Sequence, residues 1–419
     1  MIKVGILGLG TVGGGVVKIL HERAAEFEAL LGQPIEISSV MSRRSHRLEE
    51  LGLSKDIYTD SFDDFLESDP DIVVEVMGGD APAETLLKAL TAGKKVVTAN
   101  KALLANRAED FMGHEKGEWL FYEASCCGGI PIISTYEEGL TSNRIDRLLG
   151  IFNGTCNFIL SEMTEKGSSF GEVLKEAQDL GYAEADPTFD VEGIDATHKL
   201  CLLGSLSFKS PVPFEAIPSQ GITRLSPDDF KWARENGFTI KLVSIGERDG
   251  DGIFAGTFPC MIPSGHPMAH VGGAFNAVYI EGDQAGELMF YGAGAGERPT
   301  ASAVVSDLVA AAQGRPRAWS KKVFSDKNSL SVNSDRDLQF FIRLKTPDQV
   351  GVLSRLCDGF GKQGISLRSV DQSPPSDNQA EIVFITHPTT GGNLEKALES
   401  LKNDGLILGE VFSMRILDL

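Results

Sequence analysis

Between Gly181 and Lys199 the chain places five acids within twelve residues (Glu184, Asp186, Asp190, Glu192 and Asp195), followed by a lysine. A run of this kind is commonly a solvated turn ahead of a helix, where acids suit the positive end of the dipole. A calcium loop does not fit, because the spacing departs from the D-x-D-x-D-G pattern and Pro187 interrupts it. Asp195 and Lys199 argue for more than a turn. They lie four residues apart at the start of an apolar stretch containing Ala196, Leu200, Leu202 and Leu203, so on a helix they share one face. If that face looks into a cleft, the carboxylate holds and tunes an ammonium that exchanges a proton with an alcohol.

A second constellation lies near the start. Gly8-Leu9-Gly10-Thr11-Val12-Gly13 is a G-x-G-x-x-G that follows an apolar run and opens a helical pattern. In that context it points to a dinucleotide. Gly8 permits the tight turn, Gly10 lets the backbone approach a pyrophosphate, and Gly13 lets helix and strand pack closely. The anion then meets the amides and positive end of a helix that begins at Thr11 and Val12. The end of the second expected strand, Val40-Met41-Ser42-Arg43-Arg44, holds no acid to grip an adenosine ribose. Arg43 or Arg44 suits the 2′-phosphate of NADP, the alternative being two solvated arginines; NADP is expected over NAD.

Four further segments carry residue types of interest. Thr98-Ala99-Asn100-Lys101 ends an apolar run, and a lysine at a strand's carboxyl end in such a sheet lies near the nicotinamide; the alternative is a surface lysine starting a helix. Glu123-Ala124-Ser125-Cys126-Cys127-Gly128-Gly129-Ile130-Pro131 is rich in small residues, which lets backbone approach a ligand or cation. Cys126 or Cys127 there is either a nucleophile or a buried inert thiol, and no histidine lies nearby in sequence. Asn153-Gly154-Thr155-Cys156-Asn157 forms a turn and helix start that offers amides and the Thr155 hydroxyl to a substrate, or simply a capping turn. Gly292–Ala303, with Gly294 within it, is a glycine loop feeding a helix, which closes over the cofactor or acts as a hinge.

The elements that must position these residues follow from the hydrophobic pattern. Residues 1–135 alternate apolar runs (Lys3–Leu7, Ile35–Met41, Asp71–Met77, Lys95–Ala99, Trp119–Ala124) with amphipathic stretches such as Val12–Leu31 and Ala83–Ala92. That alternation predicts a parallel α/β sheet of the Rossmann type, which binds ligands beyond the carboxyl ends of its strands. Residues 136–313 mix helical and β-like segments, which predicts an α+β domain for substrate binding and dimerisation. A helix near 299–313 is expected to pack back on the first domain. Residues 314–337 are polar and weakly periodic and are expected to be a linker. Residues 338–419 give the order β-α-β-β-α-β, the ferredoxin-like plan.

With 419 residues, two or three domains are expected. The formal charge of −20 repels phosphate backbones and anionic lipid, which argues against nucleic acid and membranes as partners. No apolar run approaches the roughly 20 residues that span a bilayer. The first residues already form a strand pattern, so no secretion signal is expected. The six cysteines lack C-x-x-C pairing and suggest a reducing cytoplasm, with neither disulfides nor zinc. The seven histidines show no H-E-x-x-H or other metal spacing, so no catalytic transition metal is expected.

Taken in order, these motifs resemble the homoserine dehydrogenase family over essentially the whole chain. The resemblance rests on Gly8–Gly13, T-A-N-K at 98–101, E-A-x-x-x-G-G-I-P-I-I at 123–133 and N-G-T-x-N-F-I-L at 153–160. It continues with G-Y-A-E-x-D-P…D-x-x-G-x-D-A-x-x-K at 181–199 and G-x-G-A-G-x-x-P-T-A-S-A at 292–303. It implies that Lys199 and Asp195 are the catalytic pair, that Lys101 assists, and that Glu184 and Asp190, with Thr155, hold the substrate. The residues themselves point to cofactor contacts at Gly8, Gly10, Thr11, Val12, Gly13, Arg43, Thr98, Lys101 and Gly294. A monovalent cation such as sodium would sit on the backbone carbonyls of Glu123, Cys126, Gly128 and Ile130. Residues 338–419 resemble the ACT regulatory domain, whose ligand loop corresponds to 346–353, with threonine as the implied inhibitor. The implied activity interconverts L-homoserine and L-aspartate 4-semialdehyde with NADP, or NAD, in threonine, methionine and isoleucine biosynthesis; a homodimer or homotetramer is implied. Two departures stand out: Cys126-Cys127 replaces small apolar residues, and Ser42-Arg43-Arg44 lacks the family's frequent Arg-Asp pair. Two rivals remain: a cysteine-dependent semialdehyde dehydrogenase, and a regulatory protein that senses NADP and an amino acid without turnover.

Overall fold

The computed structural model describes residues 1–325, 330–333, 335–373 and 378–419. The first sheet is built from β1 (Ile2–Leu7), β2 (Ile35–Met41), β3 (Tyr58–Thr59), β4 (Ile72–Glu75), β5 (Lys95–Thr98) and β6 (Leu120–Phe121). Its order is β3-β2-β1-β4-β5-β6, and all pairings are parallel. Its central strands are almost wholly apolar because helices cover both faces; Val4, Ile6, Val73, Val74, Val96 and Val97 are buried. The order reverses between β1 and β4, which opens a crevice above their carboxyl ends.

The amphipathic stretch Val12–Leu31 forms two helices, Thr11–Glu22 and Ala24–Leu31. Arg23, at φ −119° and ψ 21°, breaks the helical path between them. The expected strand Trp119–Ala124 shortens to β6, because the Glu123 amide donates to the Asp307 carboxylate at 2.7 Å and the chain turns there. Asp307 lies on the helix Glu297–Ala312, whose Ala301, Val304, Val305 and Leu308 share a core with Val4, Ile6, Val16 and Val17 of the first sheet layer.

The second sheet runs through the rest of the chain. Its strands are β7 (Ile145–Ile151), β8 (Phe238–Asp249), β9 (Gly252–Pro263), β10 (Phe275–Gly282), β11 (Gly286–Ala293), β12 (Ser331–Asn333), β13 (Gln339–Pro347), β14 (Leu367–Gln372), β15 (Gln379–Thr386) and β16 (Leu408–Ile416). The order is β11-β10-β7-β8-β9-β16-β13-β15-β14, with β12 beside β9. The helices Gly154–Lys166 and Ile194–Phe208 share a core with Leu148, Ile240, Leu242, Val278 and Ile280 from β7, β8 and β10.

The last four strands, with helices Val352–Lys362 and Gly391–Asn403, form the ferredoxin-like unit around Ile342, Leu356, Phe360, Phe384 and Leu401. This unit joins the central sheet directly, through parallel pairing of Arg415 with Cys260 and Ile416 with Met261. A bidentate pair from Arg343 to Asp229, at 2.7 and 3.1 Å, adds to the junction. The stretch 314–337, expected to be a linker, carries the helix Ala318–Ser325. Its polar composition hides Trp319, Val323 and Phe324, which pack into the central core. Of that stretch, residues 326–329 and 334 lie outside the described residues. Among the described residues, no helix is long and apolar enough to cross a membrane.

Candidate active site

The helix Ile194–Phe208 opens at Gly193 and is buried from Asp195 to its end. Asp195 and Lys199 therefore share a face inside the protein, in contact across one turn: Lys199 Nζ donates to Asp195 Oδ2 at 2.9 Å. The same ammonium donates to the Phe152 carbonyl at 2.6 Å, where β7 ends. Lys101, at the start of the helix Lys101–Asn106 beyond β5, brings its ammonium to 3.0 Å from Asp195 Oδ1. Asn153 completes the cluster. Its Oδ1 accepts from the Cys156 amide, capping the helix Gly154–Lys166, which directs its Nδ2 to Asp190 at 2.7 Å and Asp195 at 2.8 Å. One carboxamide thus bridges two carboxylates that would otherwise repel each other.

Burial alone would raise the Asp195 carboxyl, but the ammonium groups of Lys199 and Lys101 hold it well below the usual carboxylate range. Burial alone would depress Lys199, yet the Asp195 carboxylate outweighs it and raises the lysine above its ordinary value. Asp190 is raised, first by burial and then by the Asp195 charge. The cluster therefore presents a charged ammonium with two of its three hydrogens engaged and one unassigned.

Of the other expected substrate residues, Glu184 is exposed, and among the described residues its carboxylate makes no hydrogen bond or ion pair. The Thr155 hydroxyl donates to the Tyr182 carbonyl at 2.7 Å and so ties the helix start to the Gly181–Asp190 segment.

On the cofactor side, Gly8 has φ +109°, and a Cβ on Gly13 would stand 2.0 Å from the Gly8 carbonyl oxygen, so both positions require glycine. A Cβ on Gly10 would meet nothing within 4 Å, which leaves open space above the amides that begin the helix at Thr11 and Val12. Arg43 and Arg44 are exposed beyond β2. Thr98 is buried, and its hydroxyl donates to Glu75 Oε2 at 2.5 Å, so it braces the crevice from below. Glu75 escaped sequence reasoning. It is fully buried at the end of β4, and its Oε1 accepts from the amides of Met77 and Gly78 at 2.8 and 2.9 Å. Burial raises its carboxyl. Its only signal was an acid inside the apolar run Ile72–Val76.

The loop after Glu123 turns through positive φ at Cys127 and Gly128 and packs on Gly294, where a Cβ on Gly128 would stand 2.5 Å from the carbonyl. The Glu123 carboxylate accepts from the amides of Ile133 and Ser134, both at 2.7 Å. Burial pushes the Cys127 thiol up to about 11 and raises Cys126 as well, so both are neutral at pH 7.

A dinucleotide sheet whose strand ends face a buried lysine–carboxylate pair defines a nicotinamide-dependent oxidoreductase. Comparison with known proteins makes the assignment specific. Residues 8–115 match the homoserine dehydrogenase NAD-binding domain, 131–309 the homoserine dehydrogenase family model and 340–405 the ACT domain. The homoserine dehydrogenase of Bacillus subtilis is 42% identical over 98% of this chain and 97% of its own length. A homoserine dehydrogenase structure from Thiobacillus denitrificans superposes with a TM-score of 0.91 at 39% identity, covering 100% of this chain and 98% of that one. A hyperthermophilic archaeal homoserine dehydrogenase in complex with NADPH matches with a TM-score of 0.64 at 28% identity, covering 75% of this chain and 98% of that one. The chain belongs to the homoserine dehydrogenase family of NAD(P)-dependent oxidoreductases.

Proposed function

We propose that Lys199 is the proton donor when L-aspartate 4-semialdehyde is reduced to L-homoserine, and the acceptor in reverse. The observation that carries this is the raised, buried ammonium, fixed by Asp195 and the Phe152 carbonyl with one hydrogen left over. When bound, the reduced nicotinamide would supply the hydride that the aldehyde carbon receives. The oxygen that becomes an alkoxide takes its proton from Lys199 Nζ, and Lys101 stabilises the charge as it develops. Asp195 stays ionised throughout and orients both lysines. Asp190 and Glu184 receive the substrate's ammonium, Glu184 moving in from solvent. Lys199→Ala tests the assignment in an NADPH-consumption assay with the semialdehyde; a variant that keeps most of its kcat sinks it.

The preferred cofactor is NADP, held by the amides at Gly10–Gly13 and by Arg43, with Thr98 and Gly294 shaping the crevice. The relative bound to NADPH supports this reading. A clear preference for NAD in turnover would overturn it. A monovalent cation such as sodium is assigned to the carbonyls of Glu123, Cys126, Gly128 and Ile130, in a loop that turns through positive φ at Cys127 and Gly128, where carbonyl dipoles would replace its water shell. A sodium-dependent rise in melting temperature, absent with a bulky organic cation, is the expected signature.

The ACT unit takes threonine as feedback inhibitor at the loop 346–353. Val350 there is fully exposed and Leu353 is 39% exposed, so an apolar rim is available to a second copy in a homodimer or homotetramer. Threonine without effect on rate at saturation would remove that role. All six cysteines are free, which suits a reducing cytoplasm.

A further inference from the structure

Asn276 belongs to no motif and to no step above. It lies on β10, fully buried. Its Nδ2 donates to the Phe152 carbonyl at 2.9 Å, the same oxygen that receives Lys199 Nζ at 2.6 Å. Its Oδ1 is buried with no hydrogen-bond partner. Gly294 lies flat against the amide: a Cβ there would stand 2.1 Å from Asn276 Cγ. The Cys127 side chain adjoins the same amide. A carbonyl oxygen has two lone pairs, and here a lysine and an amide occupy them. An amide left with an unpartnered buried oxygen is not placed there for its own stability. Its placement is set by Gly294 on one side and by the oxygen that anchors the lysine on the other.

We infer that Asn276 is a positioning residue for proton transfer: its amide, clamped by Gly294, fixes the direction of the Phe152 carbonyl and through it the unassigned hydrogen of Lys199. The inference rests on Lys199 being the proton donor. Lys199 is anchored at two points. One is a carboxylate on its own helix, and the other is a carbonyl at the end of a different strand. Asp195 is held in turn by Lys101 and Asn153. Asn276 is the corresponding hold on the carbonyl. Without it the oxygen is free to tilt with the chain at Phe152-Asn153, and the third hydrogen no longer points one way. A misdirection of this size slows proton transfer far more than it weakens binding.

A double-mutant cycle tests this. Asn276→Leu keeps the size of the side chain and removes the donor. Semialdehyde reduction by this variant is expected to show kcat lowered tenfold or more, KM for both substrates within threefold, and a larger solvent deuterium isotope effect on kcat. In a Lys199→Ala background the same substitution is expected to change kcat less than twofold, because the residue through which it acts is gone. A tenfold loss in both backgrounds, or a loss carried entirely in KM, overturns the inference. So does an unchanged kcat and isotope effect in folded Asn276→Leu. If Asn276→Leu does not fold, Asn276→Ala is read in the same cycle with the same expectations. If Lys199→Ala alone keeps its activity, the reading of Lys199 fails instead, and that outcome is visible without Asn276.

Discussion

The two halves of the site achieve order by different means. The cofactor crevice is made of absence: glycines at 8, 10 and 13, backbone amides, and exposed arginines beyond β2. The proton-transfer cluster is made of side chains, with Lys199, Asp195 and Asn153 each held at two or more points and Lys101 and Asp190 tied in at one. Open backbone adapts to its ligand on arrival, whereas the cluster is preorganised before substrate enters. Changes in the crevice should therefore appear in cofactor KM and in stability, and changes in the cluster in kcat.

The sharpest way to break that contrast is Lys199→Ala. Loss of a positioned acid should lower kcat by roughly 10²–10⁴-fold. Asp195 would remain buried with Lys101 as its remaining ion-pair partner among the described residues, so the melting temperature should fall as well. Comparable loss in KM with kcat preserved would mean that the cluster only binds. The pair also sets a pH window for stability. Asp195 is lowered from 3.8, so its contribution is present above that value and is lost as acid takes the pH down through its folded-state pKa. Lys199 is raised from 10.5, so its contribution is complete below 10.5 and is lost only in stronger alkali. Thermal melts of the wild type and Lys199→Ala from pH 4 to 10 should differ by a nearly constant amount; a difference that vanishes at neutral pH contradicts the assignment.

Asn153→Leu comes next. It keeps the volume and removes both the bridge between Asp190 and Asp195 and the helix cap. A hydrogen bond to a charged group contributes roughly 1.5–3 kcal/mol, so kcat should fall on the order of 10- to 100-fold. Substrate KM should rise too, since Asp190 would lose its fixed position. An effect on KM alone would detach Asn153 from the catalytic carboxylate.

How far the sequence could show this differs between the same two regions. The crevice was legible because its constraints are local: a turn that needs glycine and a helix that follows it are written in six consecutive residues. The fold class followed from periodicity in the same way. Asp195 and Lys199 were also legible, four apart on one helix. Their partners were not. The Phe152 carbonyl carries no side-chain signal, Asn276 arrives from 124 residues away, and Glu75 looked like a stray acid in an apolar run. The helix Ala318–Ser325 was missed for a related reason, since its apolar residues Trp319, Val323 and Phe324 are few among charges. Thr98 stood in the expected strand end, but only the structure shows its hydroxyl turned down to Glu75.

Gly13→Ala sharpens the comparison from the crevice side. The new methyl would lie 2.0 Å from the Gly8 carbonyl oxygen, and backbone must move to admit it. Overpacking of this kind costs about 1–3 kcal/mol, here expected as a lower melting temperature and a cofactor KM raised about tenfold, with kcat at saturation changed little. Arg43→Ala should be milder, because the side chain is exposed: a few-fold rise in KM for NADPH and none for NADH. Equal effects on both cofactors would remove Arg43 from phosphate recognition.

The smallest expected effect is also the one that separates this chemistry from its nearest rival. A semialdehyde dehydrogenase working through a thioester needs a thiolate facing substrate. Cys127 is buried and burial pushes its thiol up to about 11 against the opposing pull of the Lys199 ammonium and the Asn276 amide, so at pH 7 the nucleophilic form is scarce. It sits beside the Asn276 amide and next to the turn at Gly128. Cys127→Ser should therefore leave kcat within about twofold and create no dependence on phosphate. A loss of a hundredfold or more, with phosphate required by the wild type, would place the reacting atom at sulfur and make the Lys199 cluster a bystander.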